Sequence, residues 1–167
     1  AIAPGYLADF AVIDNFKDFN VEMVFKKGVL YWNNGELRDF DAPQIEEYLD
    51  KRAHDTFHVA TLTPDDFRDT RQRGVLGMVP GEIITTDNGY ADHVDLEKDI
   101  LKIAVVERHK GTHHIGLGYI QGYGLRSGAV ATSISHDSHN IIVVGTNSAD
   151  MAFAANYIVE HHGCLLY

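Results

Sequence analysis

Six consecutive polar residues, Ser135-His136-Asp137-Ser138-His139-Asn140, stand between the apolar stretches Ala129 to Ile134 and Ile141 to Val144. Such a run reads as a loop joining two buried strands, where rigid scaffolds keep their reactive groups. Two imidazoles three apart with a carboxylate between them suit two chemistries. They can set ligands round a hard or borderline metal, or they can form an acid–base pair in which Asp137 orients a histidine. A plainer account fits the same residues: a turn whose Asp, Ser and Asn bond their own backbone while the histidines satisfy loop carbonyls.

A second cluster, Glu107-Arg108-His109-Lys110-Gly111-Thr112-His113-His114, follows the apolar run Leu101 to Val106. Charged and imidazole groups gathered at one strand end can bind an anion or order a neighbouring site, and they equally suit a solvated surface loop. With 10 histidines and a single cysteine, any metal or acid–base chemistry falls to histidine. His54 and His58, at i and i+4, lack a third ligand nearby and read as surface residues. The glycines at 116, 118, 122 and 124 do not match the dinucleotide spacing of relative positions 1, 3 and 6, so they predict close backbone packing rather than a phosphate cradle. The chain has neither a Ser-centred nucleophile elbow nor a His-x-Glu with Cys-x-x-Cys signature, which excludes zinc deaminases of the cytidine type.

Composition narrows the partners. The 14 Lys and Arg against 24 Asp and Glu leave a net charge of −10, so phosphate-rich nucleic acid and anionic membranes are poor fits. The longest apolar run, Ile141 to Val144, stops at Gly145, far short of the roughly 18 residues that span a bilayer. One cysteine, Cys164, rules out an internal disulfide framework, and a reducing, cytoplasmic setting follows as the economical expectation. The opening residues Ala1-Ile2-Ala3-Pro4-Gly5-Tyr6 have neither an initiator Met nor a signal-peptide layout, and they read as a start inside something longer.

The elements that must position these groups follow from periodicity. Phe10-Ala11-Val12-Ile13, Val21 to Phe25 and Val29 to Trp32 alternate as short antiparallel strands, with turns at Asp14-Asn15 and Asn33-Asn34-Gly35. They make too small a sheet to stand alone and predict further strands before Ala1. Asp41, three before Gln44, and Pro43 predict a helix from Pro43 towards Arg52 with Ile45, Tyr48 and Leu49 on one face. Thr63-Pro64-Asp65-Asp66 predicts a single turn. Strands are expected over 75–79, 82–86, 101–106, 116–120, 129–133 and 141–144. A helix opens at Asn147, with Met151, Ala154, Ala155 and Ile158 at i, i+3, i+4 and i+7, and closes at His161-His162-Gly163 before a last strand from Cys164. The fold class is α+β: short antiparallel strands, then a mixed sheet with flanking helices.

Two stretches carry a family resemblance. Ile2-Ala3-Pro4-Gly5-Tyr6-Leu7-Ala8-Asp9-Phe10-Ala11-Val12-Ile13-Asp14, continued by Val24-x-x-x-Gly28-Val29, resembles the segment in which metal-dependent amidohydrolases leave the catalytic barrel and rejoin a small β domain. Ala104-Val105-Val106-Glu107-Arg108-His109, Gly116-x-Gly118, Gly122-x-Gly124, Gly128-Ala129-Val130-Ala131, Ser135 to Gly145 and Asp150-Met151 resemble the C-terminal domain of bacterial adenine deaminases. The resemblance implies that residues 1–34 end the small β domain and 35–167 form the C-terminal domain, cut short at its end. It also implies a cytoplasmic parent hydrolase of purine salvage that converts adenine to hypoxanthine and ammonia. The implied cofactor is a divalent metal pair, manganese or iron, in a barrel upstream, with homo-oligomers likewise implied. No His-x-His occurs here, so no barrel ligand is carried over, and the chain alone is expected to be inactive and to hold no metal.

Under that resemblance, two loops are expected side by side at one sheet edge, closing over the barrel. His136, Asp137 and His139 take accessory catalytic roles, and Glu107, Arg108, His109, Ser135, Ser138 and Asn140 take substrate-binding roles. Two other classes stay open: a non-catalytic interaction or oligomerisation module, and a histidine-based metal binder.

Overall fold

Lys27-Gly28 and Asn34-Gly35 each place two successive residues at positive φ, 50° and 77° in the first pair and 45° and 97° in the second. That geometry matches the twist of a two-residue hairpin. The turns fold β1 (Phe10–Ile13), β2 (Val21–Lys26), β3 (Val29–Asn33) and β4 (Glu36–Leu37) into an antiparallel sheet in that order. Asp14 shapes the longer β1–β2 connection, its carboxylate accepting from Asn20 N at 3.0 Å and Asn20 Nδ2 at 2.8 Å. The rings of Phe10 and Phe25, paired across β1 and β2, stack with centroids 4.8 Å apart. β4 adds one short strand to the three expected, and none of the described residues of this sheet is fully buried.

The computed structural model describes residues 2–39 and 43–167, and the chain divides into two compact units, Ala1–Ile45 and Glu46–Tyr167. The second unit is built on a seven-stranded sheet in the order β11-β9-β10-β7-β8-β5-β6. Its strands are β5 (Arg73–Met78), β6 (Thr85–Ala91), β7 (Ile100–Val106), β8 (Ile115–Gln121), β9 (Ala129–Thr132), β10 (Ile141–Gly145) and β11 (Leu165–Leu166). Among the described residues, only the β5–β8 pair of this sheet is parallel. Two helices complete the α+β architecture.

The longer helix, α2 (Ser148–Glu160), buries Met151, Ala154, Ala155 and Ile158 against one sheet face, where they meet Ala104, Val106, Ile141 and Val143. Its start is set by Asn147, whose side chain accepts from Asp150 N at 2.9 Å. Its end is set by Gly163, at φ 108°, whose N–H donates to Ile158 O at 2.9 Å. Gly145 is required by the packing, because a Cβ there would lie 2.5 Å from Met151 Cγ and 3.1 Å from Ala129 Cβ. The single turn expected near Thr63 is a 3-10 turn, Pro64–Phe67, which buries Phe67 under α2. Lys102 ties it to the helix start, donating from Nζ to Phe67 O at 2.8 Å and to Ser148 Oγ at 3.2 Å. The opposite sheet face carries a smaller cluster of Leu101, Ile120 and Val144 under Val94, Ile103, Tyr123 and Leu125.

Two expectations need correction. The first helix, α1, runs Glu47–His54 rather than from Pro43, and its N-cap Glu46 is extended with no side-chain cap bond. The proposed cap Asp41 lies outside the described residues. None of its residues is buried; Tyr48 and Leu49 are 55% and 43% exposed, and the Glu47–Lys51 ion pair at 2.7 Å is a local support. The strand expected over 82–86 begins at Thr85 and extends to Ala91, because Pro80 and Gly81 turn the chain while Asn88-Gly89 forms a bulge opposite Val75, with Gly89 at φ 83°.

Candidate functional site

Antiparallel pairing of β7 and β10 sets Val106 opposite Ile141. The segment leaving β7 and the segment entering β10 therefore emerge from the same end of adjacent strands. This places loop 107–114 beside loop 135–140. His109 Nε2 lies 2.8 Å from Ser138 O, the Arg108 guanidinium donates through Nε to His139 O, and Arg108 N donates to Asn140 Oδ1 at 3.4 Å. The ladder of main-chain bonds is thus continued past the strand ends by side chains.

The candidate residues divide sharply by what their polar atoms already touch. Glu107 turns back on its own loop, where its carboxylate accepts from His109 N (2.6 Å), Lys110 N (2.9 Å) and Thr112 Oγ1 (2.8 Å). The Thr112 hydroxyl foremost, then those backbone N–H groups, hold the Glu107 pKa down to about 2. Ser135 is buried and closes the second loop, its carbonyl accepting from His139 N at 2.5 Å and its Oγ lying 3.3 Å from Ser138 Oγ. His139 enters this bracing through its main chain. His136 and Asp137 form a pair of their own, Nδ1 to Oδ1 at 2.6 Å, with side chains 89% and 86% exposed. They stand clear of the bracing, at the tip of the loop.

Residues that spacing did not signal complete the arrangement. Arg108 donates from Nη1 to Thr56 O at 2.6 Å and sits 4.2 Å above the Phe57 ring, while His58 N donates to Arg108 O at 2.7 Å. Burial draws the Arg108 guanidinium pKa down from its usual value. His113 Nε2 lies 2.9 Å from Asp66 Oδ1, which links loop 107–114 to the 3-10 turn. Bonds from Thr63 N, and then His113, lower the Asp66 pKa. Only the fold brings 56–58 and 66 to these loops; the local patterns around His58 and Asp66 signal no link to them.

Other candidates lead elsewhere. Gly124 N donates to both oxygens of the Asp99 carboxylate (3.0 and 2.8 Å), so this glycine's amide is taken by the protein's own acid. Gly118 lies with its would-be Cβ 3.5 Å from Gly74 O, a close backbone approach as expected. His54 and His58 are exposed and bend towards Asp50 and Asp55. Among the described residues, no three His, Cys, Asp or Glu converge to hold a metal ion, and no helix is long and apolar enough to cross a membrane. On the sheet face opposite α2, a groove of about 310 Å³ runs between Ile83 and Leu165 over Ile103, Ile142 and Val144.

A family model described as the adenine deaminase C-terminal domain matches residues 81–167, which include both loops and the strands that carry them. The chain belongs to the adenine deaminase C-terminal domain family. The resemblance read from the stretch around Glu107 and Ser135 is thereby borne out. The chain is 42% identical over 173 residues to a protein named adenine deaminase from Petrotoga mobilis, covering 97% of this chain and 30% of that protein. Adenine deaminases of Lysinibacillus sphaericus and Dehalococcoides mccartyi are each 37% identical, over 97% and 98% of this chain and 29% and 30% of theirs. The chain therefore spans about 30% of the length of these curated relatives.

Proposed function

We propose that this chain is the C-terminal part of a cytoplasmic adenine deaminase of purine salvage, which hydrolyses adenine to hypoxanthine and ammonia. In this reading, residues 1–34 end the enzyme's small β domain, and the loops 107–114 and 135–140 face its active site. The similarity to proteins named adenine deaminase, extending over 97% of the chain, is the observation that carries the reading. The divalent metal pair of such an enzyme, manganese or iron, does not fit the residues here, because the described residues bring no set of three ligands together. In this reading the remainder of the parent holds it.

What this chain contributes is proton handling and enclosure. Loss of ammonia from the carbon bearing the amino group needs a proton delivered to the leaving nitrogen. His136 is arranged for that: with Nδ1 held by Asp137, the ring keeps Nε2 for an incoming group. The bracing residues Glu107, Arg108, His109, Ser135 and Asn140 hold the loop that presents it. His139 and the Ser138 hydroxyl lie on the same loop and join the substrate-facing surface. Replacing His136 by Gln in the parent-length enzyme is expected to lower the rate about 10²- to 10⁴-fold, the range of general acid–base catalysis. An unchanged turnover at saturating and limiting adenine overturns the role.

Self-association is a second reading, favoured by the open apolar groove between Ile83 and Leu165 and by the exposure of Ile83 and Ile84 at 102% and 62%. It takes a second copy of this chain as the occupant. Sedimentation of the 167-residue chain tests it: a dimer abolished by Ile84→Glu supports it, and a monomer over the whole accessible concentration range removes it.

A further inference from the structure

We propose that Arg108 is the positioning residue of the His136–Asp137 pair: through its guanidinium it fixes the loop 135–140 on the segment 56–58, rather than meeting substrate itself. The inference rests on the reading of His136 as the proton-handling group. Beyond the last paired strand residues, Val106 and Ile141, no main-chain ladder holds the two loops together. Successive side chains take over, Arg108 on the carbonyl of His139 and His109 on the carbonyl of Ser138. The turn is closed on its other side by His139 N donating to Ser135 O. His136 and Asp137 are the residues between the closed ends.

Arg108 differs from His109 in reach. Its fork also donates to Thr56 O at 2.6 Å, and its Cζ lies over the Phe57 ring, 4.2 Å from the centroid, so one guanidinium spans two chain segments on either side of it. An arginine suits this task because its guanidinium presents several donors in a fixed planar fork while lying over an aromatic ring; a lysine ammonium is a compact point charge without that fork. The donors Nε and Nη1 are taken by main-chain carbonyls that belong to the protein's own loops, which argues against a substrate role for this side chain.

The experiment is amide exchange on the 167-residue chain with Arg108→Lys and Arg108→Met. Both variants are expected to speed exchange of the amides in 136–140 roughly tenfold or more, the effect of losing one charge-assisted hydrogen bond, while amides of α2 and β10 keep their protection. Unaltered loop exchange in Arg108→Lys overturns the proposal; this variant keeps the charge and the aliphatic stem, so it reports even if Arg108→Met fails to fold. In the parent-length enzyme, Arg108→Lys is expected to lower kcat for adenine and leave KM unchanged. A raised KM with kcat intact overturns the positioning role in favour of substrate contact. Faster loop exchange with both constants unchanged leaves the brace standing and removes the catalytic reading of His136 instead.

Discussion

The side-chain amide of Asn156, on the sheet-facing helix α2, pairs with the main chain of Leu62 as a strand neighbour would: Leu62 N donates to Oδ1 at 2.9 Å and Nδ2 donates to Leu62 O at 2.8 Å. Leu62 is 3% exposed, so this backbone has no easy access to water. The pair pins the segment that leads from Phe57 to the 3-10 turn, and Phe57 in turn underlies Arg108. Asn156→Ala leaves a buried donor and acceptor without partners and is expected to cost about 2 kcal/mol. Urea unfolding of the two proteins measures it; a difference below the error of extrapolation shows that the segment is held by its apolar contacts alone.

Gly145 tests the fit of α2 on the sheet. A methyl group there would meet Met151 Cγ at 2.5 Å, and Met151 is fully buried. Gly145→Ala is expected to destabilise the chain by about 1–3 kcal/mol through overpacking. Thermal unfolding reads the loss, and the double variant Gly145→Ala with Met151→Ala should recover part of the strain. No recovery would place the strain on Ala129 instead.

The cap of the same helix is a separate, smaller effect. Asn147 accepts from Asp150 N at 2.9 Å, and its Nδ2 donates to Asp150 Oδ2 at 2.6 Å. Asn147→Ala is expected to lower stability by about 1 kcal/mol, and Asn147→Ser to restore most of it. Equal losses for Ala and Ser would mean that the hydroxyl cannot reach the helix end.

This helix is also where the sequence reads most clearly. Asn147, the apolar spacing from Met151 to Ile158 and the closing Gly163 are all local signals, and helix 148–160 follows them. Legibility fails where a distant partner decides. Ile83 and Ile84 look like strand residues, yet Pro80-Gly81 turns the chain and leaves them exposed, and the strand that follows runs on to Ala91 because β5 pairs along both sides of a bulge at Asn88-Gly89. The two loops of the candidate site were legible as clusters, and their adjacency follows from β7 pairing with β10. What was not legible is how the loops are braced: the sequence gives no sign that Glu107, Arg108 and His109 hydrogen-bond to the chain's own loops. Asp66 was legible as part of the Thr63-Pro64-Asp65-Asp66 turn but not as a partner of His113, and Thr56 carried no local signal, because both pairings form only when the chain folds.

Glu107 gives the bracing a pH dependence whose sign can be worked out. Its carboxylate titrates near 4.5 in the unfolded chain and near 2 when folded, because the Thr112 hydroxyl and three backbone N–H groups favour the ionised form. A depressed carboxylate binds fewer protons folded than unfolded, so its contribution is fully present above about pH 5 and fades as the pH falls from 4.5 through 2. Asp69, which Arg71 and then Arg73 hold well below the usual carboxylate range, and Asp66 act in the same direction. The chain is therefore expected to lose stability steadily below pH 5. In Glu107→Gln the side chain cannot titrate, so the gap between wild type and variant should be widest at neutral pH and close towards pH 2, where the wild-type carboxyl is itself half protonated. Urea midpoints at half-unit pH intervals measure that gap. Two curves that stay parallel down to pH 2 would show that the Glu107 carboxylate is solvated in the folded chain and that loop 107–114 is held by His109, Arg108 and His113 without it.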